Sequence, residues 1–139
     1  MATTTFLGNA TVNITYNATT TDFSDQATSC TLTIQKDALE STAFGDAGHT
    51  YAAGLDTVEL EIEMFLSYGA GEVEALVQSY VGNTVTAIVS PSGTTESASN
   101  PEYTVTGYVE SATVINSSVG ELATLTLSIK GGTWDRDVT

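Results

Sequence analysis

Three glutamates form the densest row of ionisable side chains in the sequence. Glu59, Glu61 and Glu63 alternate with apolar residues in the segment TVELEIEMFL, residues 57–66. Such alternation places the three carboxylates on one face of a β-strand, spaced ~6.6 Å apart, with the apolar side chains on the other face. Calcium sites usually need oxygens that converge from a turning loop, which a flat strand face does not provide. The row therefore indicates either a solvent-exposed face or a surface whose acidity has a function.

The segment GDAGH holds a second pair of groups that could do chemistry, Asp46 and His49. A metal site or an acid–base pair would need further ligands and a pocket, so a turn-forming aspartate and a histidine at a subunit contact are the simpler prediction. The single cysteine, Cys30, precedes an alternating run and is predicted to be a half-buried strand thiol. The sequence contains no GxSxG motif and no phosphate-binding GxxxxGK[ST] loop. We therefore expect no catalytic residues, no metal and no cofactor.

Acidic charge is the strongest signal in the composition. Seventeen Asp and Glu residues face three Lys and Arg residues, which gives a formal net charge of −14. Three cations cannot form the basic patch that binding to nucleic acid or to an anionic membrane requires. The first residues lack the basic and apolar segments of a signal peptide, and no apolar run reaches membrane-spanning length. The composition thus argues against a nucleic-acid-binding domain and predicts no membrane binding.

Alternating apolar residues predict strands over much of the chain. The predicted strands are residues 11–16, 29–36, 57–66, 84–89, 103–114 and 122–130, with a possible bend at Gly107. Residues 17–26 predict a turn or loop, and residues 37–55 form a long segment without a clear period. A turn at residues 116–120 between two strands predicts a hairpin.

One segment, residues 71–82, has the spacing of a helix. Its apolar residues recur every three or four positions, and Gly82 can end it. The stripe consists of Val73, Leu76, Val77, Tyr80 and Val81. Six or more strands with one helix favour a mainly β fold, an antiparallel β-sandwich or barrel with one flanking α-helix. The length predicts a single domain over residues 1–139.

Several segments of the chain share a pattern with one known family. They are FLGN at residues 6–9, DFSD at 22–25, TSCTLTI at 28–34 and TAFGDAGHTYAAGL at 42–55, together with the hairpin sequence at 103–132. The segment at 42–55 is the most specific, because a Thr-x-Phe-Gly-Asp turn leads to a Gly-Leu pair and then to an alternating strand. In these features the chain resembles the major tail tube proteins of long-tailed (siphovirus-type) bacteriophages. The resemblance covers nearly the whole chain and includes no catalytic signature.

The resemblance implies a structural virion protein with the phage tail tube fold. Such subunits form hexameric rings that stack into a conduit for genome delivery, and they are assembled in the host cytoplasm. The implied parts are an N-terminal arm (1–10), a long inter-subunit loop (37–56), the helix (71–82) and a C-terminal tail (131–139). The expected loop contacts are Thr42, Phe44, Gly45, Asp46, His49, Tyr51, Gly54 and Leu55. The expected inter-ring arms contain Phe6, Leu7 and Trp134.

For the glutamate row, the resemblance adds the interpretation of a lumen lining. Repeated around a ring, Glu59, Glu61 and Glu63 would form bands of carboxylate that repel phosphate, so that double-stranded DNA slides through as transiting cargo. A solvent-exposed outer face is an equally open interpretation. The expected partners are other copies of the chain, a tape measure protein, and the tail terminator and distal tail proteins at the tube ends.

Other classes of protein remain open at this point. The tube of a contractile tail or of a related injection system fits the same pattern, because the tube folds are related. An extracellular β-sandwich adhesion module predicts an export signal and often lysine–asparagine crosslinks, yet Lys36 and Lys130 are the only lysines. An enzyme would need a convergent set of polar residues, and the sequence does not supply one.

Overall fold

The strands of the protein form one antiparallel sheet. The computed structural model describes residues 9–92 and 100–138. The strands are β1 (Thr11–Tyr16), β2 (Thr19–Asp22), β3 (Ala27–Glu40), β4 (Tyr51–Phe65), β5 (Thr84–Ser90), β6 (Glu102–Ala112) and β7 (Thr124–Asp137), and the helix is α1 (Val73–Tyr80). The strands pair in the order β2-β1-β5-β6-β7-β4-β3, each antiparallel to its neighbours.

The sheet curls around its own apolar face. Strands β1 and β4 are separated by three strands in the sheet order, yet Ile14 of β1 and Ile62 of β4 are fully buried in the same core cluster. The turn at residues 23–26 helps to close the curl: Phe23 N–H donates to Val12 O, and Phe65 N–H donates to Gln26 O, both at 2.9 Å. The mainly β, sandwich-like fold predicted from the alternation is confirmed.

Helix α1 covers part of this core. Its buried residues are Val73, Val77 and Tyr80, and Leu76 packs against the cluster from a partly buried position. The Tyr80 ring meets Tyr16 edge-to-face at a centroid distance of 5.3 Å. The predicted apolar stripe is therefore confirmed except at its end, where Val81 is 41% exposed. The helix is shorter than the predicted range 71–82. In the described part of the chain, no helix is long and apolar enough to cross a membrane.

Strand β2 is absent from the predicted elements, which assign residues 17–26 to a turn or loop. The structure turns in two residues instead: Asn17 and Ala18 both have positive φ, 53° and 65°, and Tyr16 pairs directly with Thr19. Two positive-φ residues between paired strands give the tight hairpin turn whose twist matches a β-ribbon. Ala18 is an unusual residue for that position, because a Cβ disfavours the left-handed region, and this explains why the sequence predicted a turn or loop over the whole segment instead of a two-residue turn followed by β2.

The predicted loop over residues 37–56 is largely wrong. Residues 37–40 end β3 and residues 51–56 begin β4, so that only residues 41–50 lie outside strands. The two strands remain paired out to Glu40 and Tyr51, with a register shift between Lys36 and Ala38. A β-bulge inserts an extra residue and breaks the alternation, which is why no period is visible in the sequence. We call residues 36–56 the hairpin arm.

The predicted C-terminal tail also belongs to the sheet. Strand β7 continues through Asp137, and Trp134 lies opposite Val105 of β6. Gly107, where the sequence predicts a possible bend, lies at a register shift between Thr106 and Tyr108. Phe6 and Leu7, the expected contacts of the N-terminal arm, lie outside the described residues, as does the rest of the arm before residue 9.

Candidate assembly surfaces and acidic face

The three glutamates lie on the exposed face of β4. Val58, Leu60, Ile62 and Met64 alternate with them and are fully buried. Each carboxylate stands in a row of three strands: Glu61 has Thr31 of β3 on one side and Ser128 of β7 on the other. Glu63 is flanked in the same way by Ser29 and Thr126. The exposed face is therefore an array of carboxylates flanked by hydroxyl groups on the neighbouring strands.

Glu59 differs from the other two because its row contains a cation. Its partner on β7 is Lys130, whose Nζ lies 3.8 Å from Glu59 Oε1 and 2.9 Å from Glu110 Oε2 on β6. The hydrogen bond from Lys130 to Glu110, with the charge of that carboxylate, raises the pKa of Lys130 above its ordinary value. The ammonium group is thus held between two carboxylates.

This arrangement provides no metal-binding chemistry. Within residues 9–92 and 100–138, no group of three His, Cys, Asp or Glu side chains is placed to hold a metal ion. Side chains on one strand face stand about 6.6 Å apart and do not converge. What the face can do is repel phosphate groups and leave a polyanion without a binding cation.

Asp46 and His49, the other candidate chemical pair, are not brought together. Asp46 Oδ2 accepts the Ala43 N–H at 2.6 Å, which closes the turn at the end of the hairpin arm. His49 Nδ1 instead lies 2.7 Å from Glu40 Oε2. Both side chains of that second pair are more than half exposed, so the end of the arm has no enclosed pocket in which acid–base chemistry could take place.

Other residues that the sequence analysis expects to make loop contacts stabilise the conformation of the hairpin arm. Thr42 Oγ1 accepts the Thr50 N–H at 2.9 Å, and Gly45 has a φ of +96°, in the region that favours glycine. Gly54 lies beside the β-bulge, where an added Cβ would come within 2.9 Å of Asp37 Cβ. Two strands can approach this closely only because Gly54 has no side chain.

The end of the hairpin arm carries exposed apolar side chains on both faces. Phe44 in the loop is completely exposed, and Leu55 is 80% exposed. Leu39 and Leu55 continue the face of the glutamates, whereas Tyr51 pairs with Glu40 on the opposite face, because the extra residue of β4 at the bulge shifts its alternation. We call Leu39, Phe44, Tyr51 and Leu55 the tip patch.

A second apolar surface lies in the loop between β6 and β7. Ile115 and Leu122 are 78% and 77% exposed, and Val119 is completely exposed. Tyr68 joins them, because its hydroxyl donates to Val114 O at 2.9 Å. We call Phe65, Tyr68, Ile115, Val119 and Leu122 the base patch. The segment VINSSVGEL predicts a turn. Its apolar residues could also have predicted an exposed apolar surface, because such residues are unusual in a turn.

The two patches lie at opposite ends of the molecule. Strand β4 begins at Tyr51 in the tip patch and ends at Phe65, which pairs with Thr124 directly after the base loop. Fifteen residues of strand extend for up to roughly 45 Å. Clusters of exposed apolar side chains often mark surfaces that bind another molecule.

One groove is lined mostly by apolar side chains. It lies between β3 and the strands β5 and β6, has a volume of about 310 Å³, and is lined by Cys30, Leu32, Ile34, Val89 and Tyr103 among others. Cys30 is half-buried, as predicted, and burial raises the pKa of its thiol to about 11. A neutral thiol is a poor nucleophile.

Trp134 and its surroundings were only partly predicted. Its ring packs at a tilt against Tyr103, with centroids 6.3 Å apart, and its Nε1–H donates to Asp56 Oδ2 at 3.3 Å. Asp56 also forms an ion pair with Lys36. Sequence reasoning did not single out Asp56, Lys36 or Glu110, because each owes its role to a partner on another strand.

Comparison with known proteins gives matches in structure alone. No protein-family model and no curated protein matches the sequence. A chain from the tail of an empty GTA particle, refined with C6 symmetry, superposes with a TM-score of 0.69 at 8% identity, covering 94% of this chain and 96% of that one. A chain from the virion of a native gene transfer agent gives 0.65 at 9% identity, covering 91% and 95%.

A third solved structure is similar over nearly its whole length. A chain of the six-fold symmetrised baseplate of the anti-feeding prophage gives a TM-score of 0.61 at 10% identity, covering 98% of this chain and 97% of that one. At sequence identities this low, the similarity between the structures establishes a common fold. The chain therefore has the phage tail tube fold, shared with a chain in the tail of a gene-transfer-agent particle.

Proposed function

We propose that this chain is the major tail tube protein of a long-tailed, siphovirus-type particle. Copies assemble into hexameric rings, the rings stack into a tube, and double-stranded DNA passes through its acidic lumen. The observation that carries the proposal is the pair of apolar patches at opposite ends of β4. The shared fold and the six-fold symmetry of the assemblies that contain its structural neighbours support it.

Patches at opposite ends favour an open stack over a closed dimer. When one surface of a subunit binds a different surface of the next, the contact is heterologous, and it repeats without limit unless a rotation closes it. The tip patch of one copy, with Phe44 as its anchor, packs on the base patch of the next, with Val119 and Leu122. Burial of such side chains is the main favourable term in association.

Lateral contacts within a ring come from the edges of the sheet. Among the described strands, β2 and β3 are the outermost and each pairs on one side. An exposed edge offers unpaired N–H and C=O groups to another strand. Strand β3 is long, fourteen residues from Ala27 to Glu40, so a neighbour that pairs with it extends the sheet from one subunit to the next.

In this assembly the face of Glu59, Glu61 and Glu63 lines the lumen. Strand β3 is a direct neighbour of β4, so joining copies through β3 makes the acidic face continuous around the ring. DNA passing through such a channel meets carboxylates and hydroxyl groups and releases no bound counterions. Weak contact is what a conduit requires, because the cargo must slide.

The remaining parts of the proposal follow from the role of a tube. The subunits assemble in the host cytoplasm and end in the virion, with a tape measure protein inside the growing tube and terminator and distal tail proteins at its ends. The role is structural and needs no catalytic residues.

Intersubunit crosslinking tests the proposed stack directly. Because Cys30 is the only cysteine, a Cys30→Ser chain carrying both Ala43→Cys and Ser118→Cys, at exposed positions beside Phe44 and Val119, keeps the apolar anchors and can form disulfides only through the introduced thiols. Oxidation of the assembled protein should give a ladder of covalent multimers on a denaturing gel. Each single-cysteine chain is the matched control and can give dimers at most.

Electron microscopy provides a second test of the proposed stack. Wild-type protein should form tubes of uniform diameter as its concentration rises, whereas Phe44→Ser should stop at rings or subunits. Val81→Ser, at an exposed apolar residue outside both patches, should assemble normally. Wild-type protein that stays monomeric at high concentration would remove the proposal.

A second candidate function is the tube of a contractile tail or a related injection system. The similarity to a chain of the anti-feeding prophage baseplate favours it. The two candidates differ in what surrounds the tube, so images of the intact particle, with or without a contractile sheath, separate them.

A further inference from the structure

The sheet divides into two ribbons at one point. Pairing between β4 and β7 ends at Val58 and Gly131. Beyond it, β7 continues along β6 as far as Asp137, while β4 continues along β3 as far as Tyr51. The hairpin arm therefore leaves the body of the sheet at a fork beside residues 56–58.

Glycines allow the backbones to pass closely at the fork. A Cβ on Gly131 would lie 2.6 Å from Thr106 O, and a Cβ on Gly132 would lie 2.9 Å from Asp56 O. Real Cβ atoms do not approach backbone oxygens so closely. The two ribbons thus separate from a point of backbone contact, and the angle between them depends on what bridges the opening.

Asp56 is the side chain that bridges it. One carboxylate oxygen pairs with the Lys36 ammonium on β3, and the other accepts the Trp134 Nε1–H on β7 at 3.3 Å. Trp134 is itself held against Tyr103 of β6. One carboxylate therefore connects the arm, through β3 and β4, to the body, through β7 and β6.

We propose that Asp56 is a positioning residue that, by binding Lys36 and the Trp134 indole N–H together, fixes the direction in which the hairpin arm leaves the sheet. The inference rests on the proposed function, because the arm carries the tip patch to the next copy. About five residue pairs extend from Asp56 towards the tip, or roughly 17 Å of strand. A rotation of about 10° at the fork moves the arm end by about 3 Å, enough to misalign an apolar contact.

We call Asp56, Lys36 and Trp134 the clamp. Hydrogen exchange on unassembled protein tests the clamp without the need for tubes. Trp134→Phe removes the N–H donor and keeps an aromatic ring against Tyr103, and Asp56→Ala removes both bonds. Trp134→Phe should speed amide exchange in residues 37–55 by about fivefold, the effect of losing one hydrogen bond, and Asp56→Ala, which removes both bonds, should speed it further. Exchange in β1, β5 and β6 should stay unchanged. Asp135→Ala, the same charge change at an exposed site on β7, is the matched control.

The single tryptophan adds an independent readout. Because Trp134 is the only one in the chain, its fluorescence reports the clamp directly, and Asp56→Ala should shift its emission whereas Asp135→Ala should not. Unchanged arm exchange in both clamp variants overturns the proposal.

Assembly kinetics test the link between the clamp and the stack. Trp134→Phe should slow tube formation or broaden the range of tube twists relative to wild type and Asp135→Ala. A loosened arm with unchanged tube growth refutes the positioning role. If wild-type protein forms no tubes at all, the proposed function fails while the exchange result still decides whether the clamp exists.

Discussion

Lys130 is held by Glu110 across β6 and β7, with 2.9 Å between Nζ and Oε2. The same ammonium lies 3.8 Å from Glu59 Oε1, so a lysine on the acidic face has its charge covered by carboxylates on both neighbouring strands. A polyanion passing along this face would meet a neutralised cation. The pairing makes Lys130 part of the acidic surface instead of an interruption of it.

The pH dependence of stability should reveal this pairing. Glu110 raises the pKa of Lys130, so its contribution to folding is complete below the unfolded-state pKa of about 10.4 and is lost as pH rises through the higher folded-state pKa. Glu110→Gln should lower the melting temperature at pH 8 and have a smaller effect at pH 11.5. Glu121→Gln is the control. An effect of Glu110→Gln that is equal at both pH values contradicts the pairing.

Reversing the charge of the glutamate row should impair DNA passage. We expect the triple change of Glu59, Glu61 and Glu63 to lysine to leave tubes able to form, because all three side chains are exposed. The lysines would add phosphate contacts whose strength falls with salt, so DNA ejection should slow most at low ionic strength. The triple change to glutamine separates added attraction from lost repulsion. Unchanged infectivity of phage carrying the lysines would remove the lumen assignment.

Glycine at the fork should be far more sensitive to substitution than glycine in the arm loop. Gly131→Ala places a Cβ 2.6 Å from Thr106 O, and the backbone must shift to relieve the overlap, at a cost of about 1–3 kcal/mol in the free energy of unfolding. Gly48→Ala meets no atom within 4 Å and should change stability by less than about 0.5 kcal/mol. Urea unfolding measures both. Equal effects would show that the close approach at Gly131 is not rigid.

Asp22 should stabilise the turn after β2 only while it is ionised. Its Oδ1 accepts the Ser24 N–H at 2.8 Å, and the Ser24 Oγ accepts the Val12 N–H at 2.9 Å. The hydrogen bonds from Ser24 lower the pKa of Asp22, so the stabilisation is present above the unfolded-state pKa of about 3.9 and is lost as pH falls through the lower folded-state pKa.

Asp22→Ala should therefore cost about 1 kcal/mol at pH 7 and progressively less as the pH falls towards 2. Asp25→Ala, in the same turn and exposed, removes the same charge without that hydrogen bond. Chemical unfolding at the two pH values gives the comparison. A penalty for Asp22→Ala that persists at pH 2 would assign its role to packing instead of charge.

Local sequence was sufficient wherever one short segment carried the information. The alternation around Glu61 determined both the strand and the exposed face, because successive side chains on a strand point to opposite sides. The stripe containing Val73 and Val77 likewise determined the helix. The argument against nucleic-acid binding through a basic patch rests on the count of three Lys and Arg residues in the composition.

Tertiary structure decided what depends on residues distant in sequence. The hairpin arm looks irregular as sequence because a bulge beside Lys36 shifts the alternation, and only cross-strand pairing restores its regularity. Asp56 acquires its role from Trp134, 78 positions away. Tip and base patches are apolar in the sequence too, but their separation to opposite ends is set by the direction of β4. Sequence fixes the periodicity of each strand, whereas pairing between strands fixes which side chains meet.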